Sequence, residues 1–284
     1  MNNIKNNKES YIEDSRAPLV SHLIELRDRL KWAVVFFFIS FCFCYYFATD
    51  IYNFLVNPLY RIYMEKGIDN PRMIYTALTE AFFTYLKVSF YGALFISFPV
   101  LALQIYKFAA PGLYKDEKKA FLPFLVATPV LFSLGAALVY YFIFPLAWSF
   151  FLGFQTETAT LGMAIELEAK VNEYLSLVLK LMFAFGLAFQ IPVALTLLSR
   201  AGIVTSNGLK KRRKYAIVIA FLVAAILTPP DLISQIGLGI PIIILFEISI
   251  WLAILFEKKK KEKTDKEGRG NKSKKTIGET DFSE

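Results

Sequence analysis

Residues 215–256 read YAIVIAFLVAAILTPPDLISQIGLGIPIIILFEISIWLAILF and carry two charged side chains, Asp231 and Glu247. Lys210-Lys211-Arg212-Arg213-Lys214 precede this stretch, and four consecutive lysines, Lys258 to Lys261, follow close behind it. A helix needs roughly 20 apolar residues to cross about 30 Å of hydrocarbon, so the stretch has room for two crossings. Pro229 and Pro230 divide them, because neither donates a backbone hydrogen bond and the first disfavours helix at the residue before it. The first crossing, Tyr215 to Thr228, extends only ~21 Å at about 1.5 Å per residue. A shortfall of that size is met by local thinning, snorkelling or association with partner helices. The second, Ile236 to Phe256, is long enough.

Working outward, four more runs bounded by charge have the same character: Trp32 to Ala48, Ala81 to Tyr106, Ala120 to Phe144 and Tyr174 to Leu198. Of the 284 residues 56% are hydrophobic, 28 are Phe, and mean hydropathy is +0.46. This composition excludes an ordinary water-soluble enzyme. The pattern predicts an all-α polytopic membrane protein with six transmembrane helices. Residues 1–256 form a single membrane domain, and residues 257–284 a disordered basic cytoplasmic tail held near anionic lipid by its charge. About thirty polar and amphipathic residues precede the first run and no small-residue cleavage site follows it, so that run is expected to remain in the mature protein.

With both termini in the cytoplasm, 26 of the 32 Lys and Arg fall on the cytoplasmic side. Arg61, Lys66, Arg72 and Lys170 fall opposite, and Lys87 and Lys180 lie inside spans. That asymmetry predicts an N-in, C-in arrangement. The outer segments, Asp50 to Glu80 and Pro145 to Glu173, are rich in aromatics and are expected to form a cap. Prolines 99, 129, 192 and 241 within spans predict bent helices and a curved bundle.

Several chemistries are excluded. Gly202 to Lys210 (GIVTSNGLK) lacks the glycine spacing and the Lys-Ser/Thr of a phosphate loop. His22, the one histidine, precedes the first span and cannot serve an intramembrane nucleophile or a zinc motif. Cys42 and Cys44, on one apolar run, make neither a disulfide framework nor a metal pattern. No cofactor, metal or nucleic-acid partner is expected, and no inverted repeat of the transporter kind stands out.

Polar residues in costly places are the candidates for function. Leu19, Leu23, Leu26 and Leu30 share one helix face opposite Ser21, His22, Glu25, Asp28 and Arg29, which predicts an amphipathic interfacial helix over 18–31. Glu25 and Arg29 are spaced for an i,i+4 ion pair. The loop from Lys107 to Lys119 combines aromatics and proline with Asp116 and Glu117 ahead of the third span, where carboxylates suit a helix N-terminus. Gln190 and Glu247 lie at membrane depth, where polar groups face partners or a wet cavity. Asp231 precedes the sixth span at an N-cap position.

Taken together these residues resemble the TatC family, the signal-peptide receptor subunit of the twin-arginine protein translocase. The resemblance runs from Ser21 to Phe256. It is carried by SHLIELRDRL at 21–30, by Phe108 with Pro111-Gly112-Leu113-Tyr114 and Glu117, and by Phe185-Gly186 with FQIPV at 189–193. LTPPD at 227–231 and Phe246-Glu247 complete it.

The resemblance implies a curved, glove-like bundle with short fifth and sixth helices in the bacterial cytoplasmic (inner) membrane. It implies a receptor without catalytic activity that binds twin-arginine signal peptides of folded proteins. TatA- and TatB-type single-span partners, further copies of the same chain and the proton-motive force would complete the machine. Glu25 and Glu117 would hold the two guanidinium groups, since a carboxylate accepts from the planar fork of arginine in a way an ammonium cannot match. Phe108 and Leu113 would receive the apolar flank of the peptide, beside Pro111 and Tyr114, while Arg27 and Lys115 set the loop's geometry. Where family members commonly carry glutamate this sequence has Gln190, which suits hydrogen bonding and not proton carriage. Asp231 and the short fifth span would form a partner-binding edge. The alternative is a proton- or ion-coupled small-solute transporter using Glu247 and Lys180.

Overall fold

The computed structural model describes residues 2–68, 70–113, 122–155, 167–200, 202–227 and 232–278. These are almost entirely helical: α1 (Asn2–Tyr46), α2 (Ala48–Glu65), α3 (Glu80–Leu113), α4 (Leu122–Leu138), α5 (Phe144–Leu152), α6 (Val171–Ala188), α7 (Ile191–Arg200), α8 (Ser206–Lys211), α9 (Arg213–Leu227) and α10 (Leu232–Gly278). Two short strands, β1 (Met73–Ile74) and β2 (Ala169–Lys170), pair in parallel with Met73 opposite Ala169. Five stretches among the described residues are long and apolar enough to cross a membrane: Leu23–Tyr46, Glu80–Phe108, Pro123–Leu152, Val171–Arg200 and Gln235–Lys258. Helix α9, with 15 residues, falls short of that length.

The chain divides into two compact units, residues 1–130 with 144–183 and residues 131–143 with 184–284. In the first, α1 packs against α3. Phe37 meets Phe90 edge-on at 5.4 Å, and Gly92 lies beneath Cys44, where an added Cβ would stand 3.1 Å from the sulfur. Helices α3 and α6 run side by side in the same direction. Asn172 N–H donates to Glu80 at 3.2 Å, and Tyr91 meets Phe183 at 6.0 Å, so the two helices keep one register along their length. Helix α2 buries Leu55, Leu59, Ile62 and Tyr63. The Tyr174 hydroxyl donates to the Leu55 carbonyl at 2.9 Å, while Trp148 stacks on Phe144 and leans on Tyr174.

In the second unit α9 lies antiparallel to α10. Arg213 pairs with Glu247 at 2.7 Å, and Phe221 covers Gly239 so closely that a Cβ there would come within 2.9 Å of the ring. Nearer the far end of the α10 span, Glu257 accepts from Ser206 N–H at 2.7 Å and from its hydroxyl at 2.6 Å, tying down the start of α8. Leu209, Ile250 and Ala253 form a small buried core there, with Phe246 and Leu195 against it.

Several sequence expectations change. The interfacial helix predicted over 18–31 is not a separate element: α1 continues unbroken to Tyr46, since no glycine or proline interrupts the chain after Pro18 to end it. Much of the segment from Asp50 to Glu80 is helix, not loop, because its aromatics and aliphatics fall on one face of α2. The third crossing extends to Leu152 through a π-helical turn at Val139–Ile143, just before Pro145, whose missing donor favours a widened turn. The sixth helix is not short: α10 includes a 24-residue apolar stretch. Helix α10 runs on through Gly278, into the basic tail.

Candidate functional site

The first candidate site starts at Glu25 on α1. Its carboxylate is partly exposed, and Arg29, one turn on, donates to its Oε1 through Nε at 3.1 Å and also through Nη2. Arg27 points elsewhere and pairs with Asp28 at 3.2 Å, and Lys31 approaches the same Asp28 oxygen. Half-buried Phe108 stands in the closing turns of α3. The backbone of α3 continues through Pro111 to Leu113. Tyr114 and Glu117 lie outside the described residues, so the pairing of Glu25 with Glu117 stays an expectation.

The second candidate region is the break in the fourth crossing. Helix α6 ends at Ala188 and α7 starts at Ile191, with Phe189 and Gln190 between them in a turn. Pro192 explains the break, since it has no N–H for the Ala188 carbonyl and its ring crowds that turn. Gln190 N–H closes the turn on Leu187 at 2.9 Å, and its side-chain amide donates to the Gly186 carbonyl at 3.4 Å. At Gly186 itself a Cβ would fall 2.5 Å from the ring of Phe132, so only glycine admits that ring. Gln190 is therefore set beside a closely packed, non-helical turn.

Glu247, read as a costly intramembrane carboxylate, has its charge met inside the chain by Arg213. Asp231 lies outside the described residues and directly precedes α10.

With this geometry in place, comparison with known proteins is decisive. The family model for the Sec-independent protein translocase protein (TatC) matches residues 21–241. The chain belongs to the TatC family. TatC of Magnetococcus marinus is 51% identical over 249 residues, 88% of each chain. TatC of Rickettsia prowazekii is 45% identical, covering 83% of this chain and 92% of that one, and TatC of Escherichia coli K12 is 38% identical, covering 93% and 98%. A crystal structure of the twin arginine translocase receptor TatC superposes with a TM-score of 0.71 at 39% identity, covering 82% of this chain and 98% of that one. The chain is accordingly a multi-pass membrane protein and a component of the Sec-independent, twin-arginine translocase, a transport subunit and not an enzyme.

One constellation in this TatC chain escaped the sequence reading. Lys87 on α3 donates to Asn172 Oδ1 at 2.5 Å and to Ser176 Oγ at 2.7 Å on α6. Lys87 and Lys180 were visible in the sequence as charges inside spans. Their neighbourhood follows only from the common register of α3 and α6, which no local pattern encodes.

Proposed function

We propose that this chain is the receptor and scaffold of the translocase, binding the twin-arginine signal peptides of folded proteins at Glu25 and Glu117. The observation that carries the reading is the state of Glu25: a partly exposed carboxylate that already accepts a guanidinium, that of Arg29, through two donors. An incoming arginine meets a group whose geometry suits its fork, and a lysine ammonium offers no equivalent set of donors. Phe108, Pro111, Leu113 and Tyr114 would supply the apolar bed for the rest of the peptide, with Arg27 and Lys115 shaping its edge.

The orientation belongs to the same proposal. Helix α9 runs antiparallel beside the span of α10, which supports counting it as a sixth crossing and placing both termini in the cytoplasm of a bacterial inner membrane. Its short apolar length and Asp231 favour a docking edge for TatA- and TatB-type single-span helices, with several copies of this chain assembled in the translocase. Without a nucleotide motif in the sequence, the proton-motive force is the energy source. The solute-transporter alternative loses its main support, because Glu247 is engaged by Arg213.

The test is photocrosslinking in isolated membranes, with probes beside Glu25 and Glu117 and one signal peptide in Arg-Arg and Lys-Lys forms. Adducts should form with Arg-Arg, fade with Lys-Lys and vanish in Glu25→Ala and in Glu117→Ala. Equal crosslinking of both peptides refutes the site.

A further inference from the structure

We propose that Lys87 and Lys180 form a binding site for the phosphodiester of an anionic phospholipid, set between α3 and α6 in the leaflet that meets the N-terminal ends of these helices. On the orientation proposed above, that is the outer leaflet. The Glu80–Asn172 and Tyr91–Phe183 contacts fix the register of the two helices, and the same offset brings Lys87 and Lys180 to one level. That level is ~10 Å inside the start of α3, at 1.5 Å per residue. Lys180 is exposed.

Two cations at this depth are costly unless an anion joins them. Glu80 is the carboxylate near Lys87, but it sits two turns towards the helix start. Its oxygens accept from the N–H groups of Thr76, Ala77 and Asn172, so it serves as a cap for the turn it begins. One carboxylate so employed leaves the pair of lysines with net positive charge.

The setting favours a lipid. Lys87 is drawn towards Asn172 and Ser176, near the start of α6, which is the direction in which long cationic side chains snorkel to the headgroups. Phe83 and Phe90, on the same face of α3 as Lys87 and one turn to either side of it, are both exposed. They offer apolar surface to acyl chains attached to the bound phosphate. The Tyr91–Phe183 contact closes the floor one turn deeper on both helices.

The full-length protein is reconstituted into nanodiscs of phosphatidylcholine with a minority of phosphatidylglycerol, and native mass spectrometry counts the phosphatidylglycerol retained after release from the disc. The wild type should hold one molecule more than the Lys87→Gln/Lys180→Gln variant, whose occupancy falls about tenfold, as expected for loss of charge-assisted hydrogen bonds. The Lys87→Arg/Lys180→Arg variant should keep it. The basic stretches at 210–214 and 258–261 are the same in every variant, so the difference reports this site alone. Should the double variant fail to fold, Lys180→Gln alone, with an exposed side chain, should still weaken retention. Inorganic phosphate in excess should not displace the lipid; displacement would make this a free-anion site and overturn the lipid assignment. Equal retention by wild type and Gln variants, or no preference over phosphatidylcholine, overturns the proposal outright.

Discussion

Glu25 and Gln190 are single side chains whose surroundings decide what they can do. For Glu25 the resting partner is Arg29, an i,i+4 pair of a kind that contributes about 0.2–0.5 kcal/mol on a helix surface. Because that resting pair contributes so little, exchanging Arg29 for an external guanidinium costs little, and the other contacts of the peptide decide whether it binds. Gln190 acts through hydrogen bonding alone, because an amide has no proton to carry at physiological pH. It spans the break between α6 and α7 by donating to Gly186. Gln190→Glu keeps an acceptor and the shape, whereas Gln190→Leu removes the polar group from a costly place. In a cell-based assay of twin-arginine cargo export, the Glu variant should stay near wild type and the Leu variant should lose roughly two- to tenfold, the range of one hydrogen bond. Full export by the Leu variant would show that the amide is dispensable.

At the scale of elements, the helices follow from their breakers. Pro192 divides α6 from α7, Pro145 follows the π-helical turn, and α9 is as short as its apolar run. These features were legible in the sequence because each depends on residues a few places apart. Helix α2 was missed because its apolar face is covered by Tyr174 and its neighbours, far along the chain, and an amphipathic segment outside the membrane looks like an aromatic-rich loop until that partner is known. The Lys87 cluster was missed for the same reason. The candidate signal-peptide residues were found through resemblance, since the i,i+4 spacing of Glu25 and Arg29 fits a bland surface ion pair equally well. Close approach is another property that sequence leaves open. Phe132 is 2% exposed and its ring fills the place of a Cβ on Gly186, so the ring has nowhere to swing. Gly186→Ala should cost about 1–3 kcal/mol, the usual range for an overfilled core, read as a lower thermal midpoint in detergent. Adding Phe132→Leu should restore much of the loss; an unchanged midpoint for Gly186→Ala would mean that the contact is looser than described.

For the whole molecule the open quantity is the parity of crossings. Among the described residues five stretches meet the length of a membrane span, an odd number, which by itself would put the two ends of the chain on opposite sides. The charge distribution asks for both ends on one side. Helix α9 resolves the conflict if it crosses: Arg213 at its start is level with Glu247, and Phe221 is level with Gly239, so it runs in the opposite sense beside the part of α10 from its start to Glu247. The Arg213–Glu247 pair also gives Glu247 a counter-charge from the basic stretch in which α9 begins. Replacing Cys42 and Cys44 by serine provides a background for single cysteines at Asn70, Val204 and Glu284. With a membrane-impermeant maleimide on intact cells, position 70 should label, while 204 and 284 should label only after permeabilisation. Labelling of 284 from outside with 204 protected would mean that the segment after Val204 crosses an odd number of times, so that α9 turns back within the membrane beside α10.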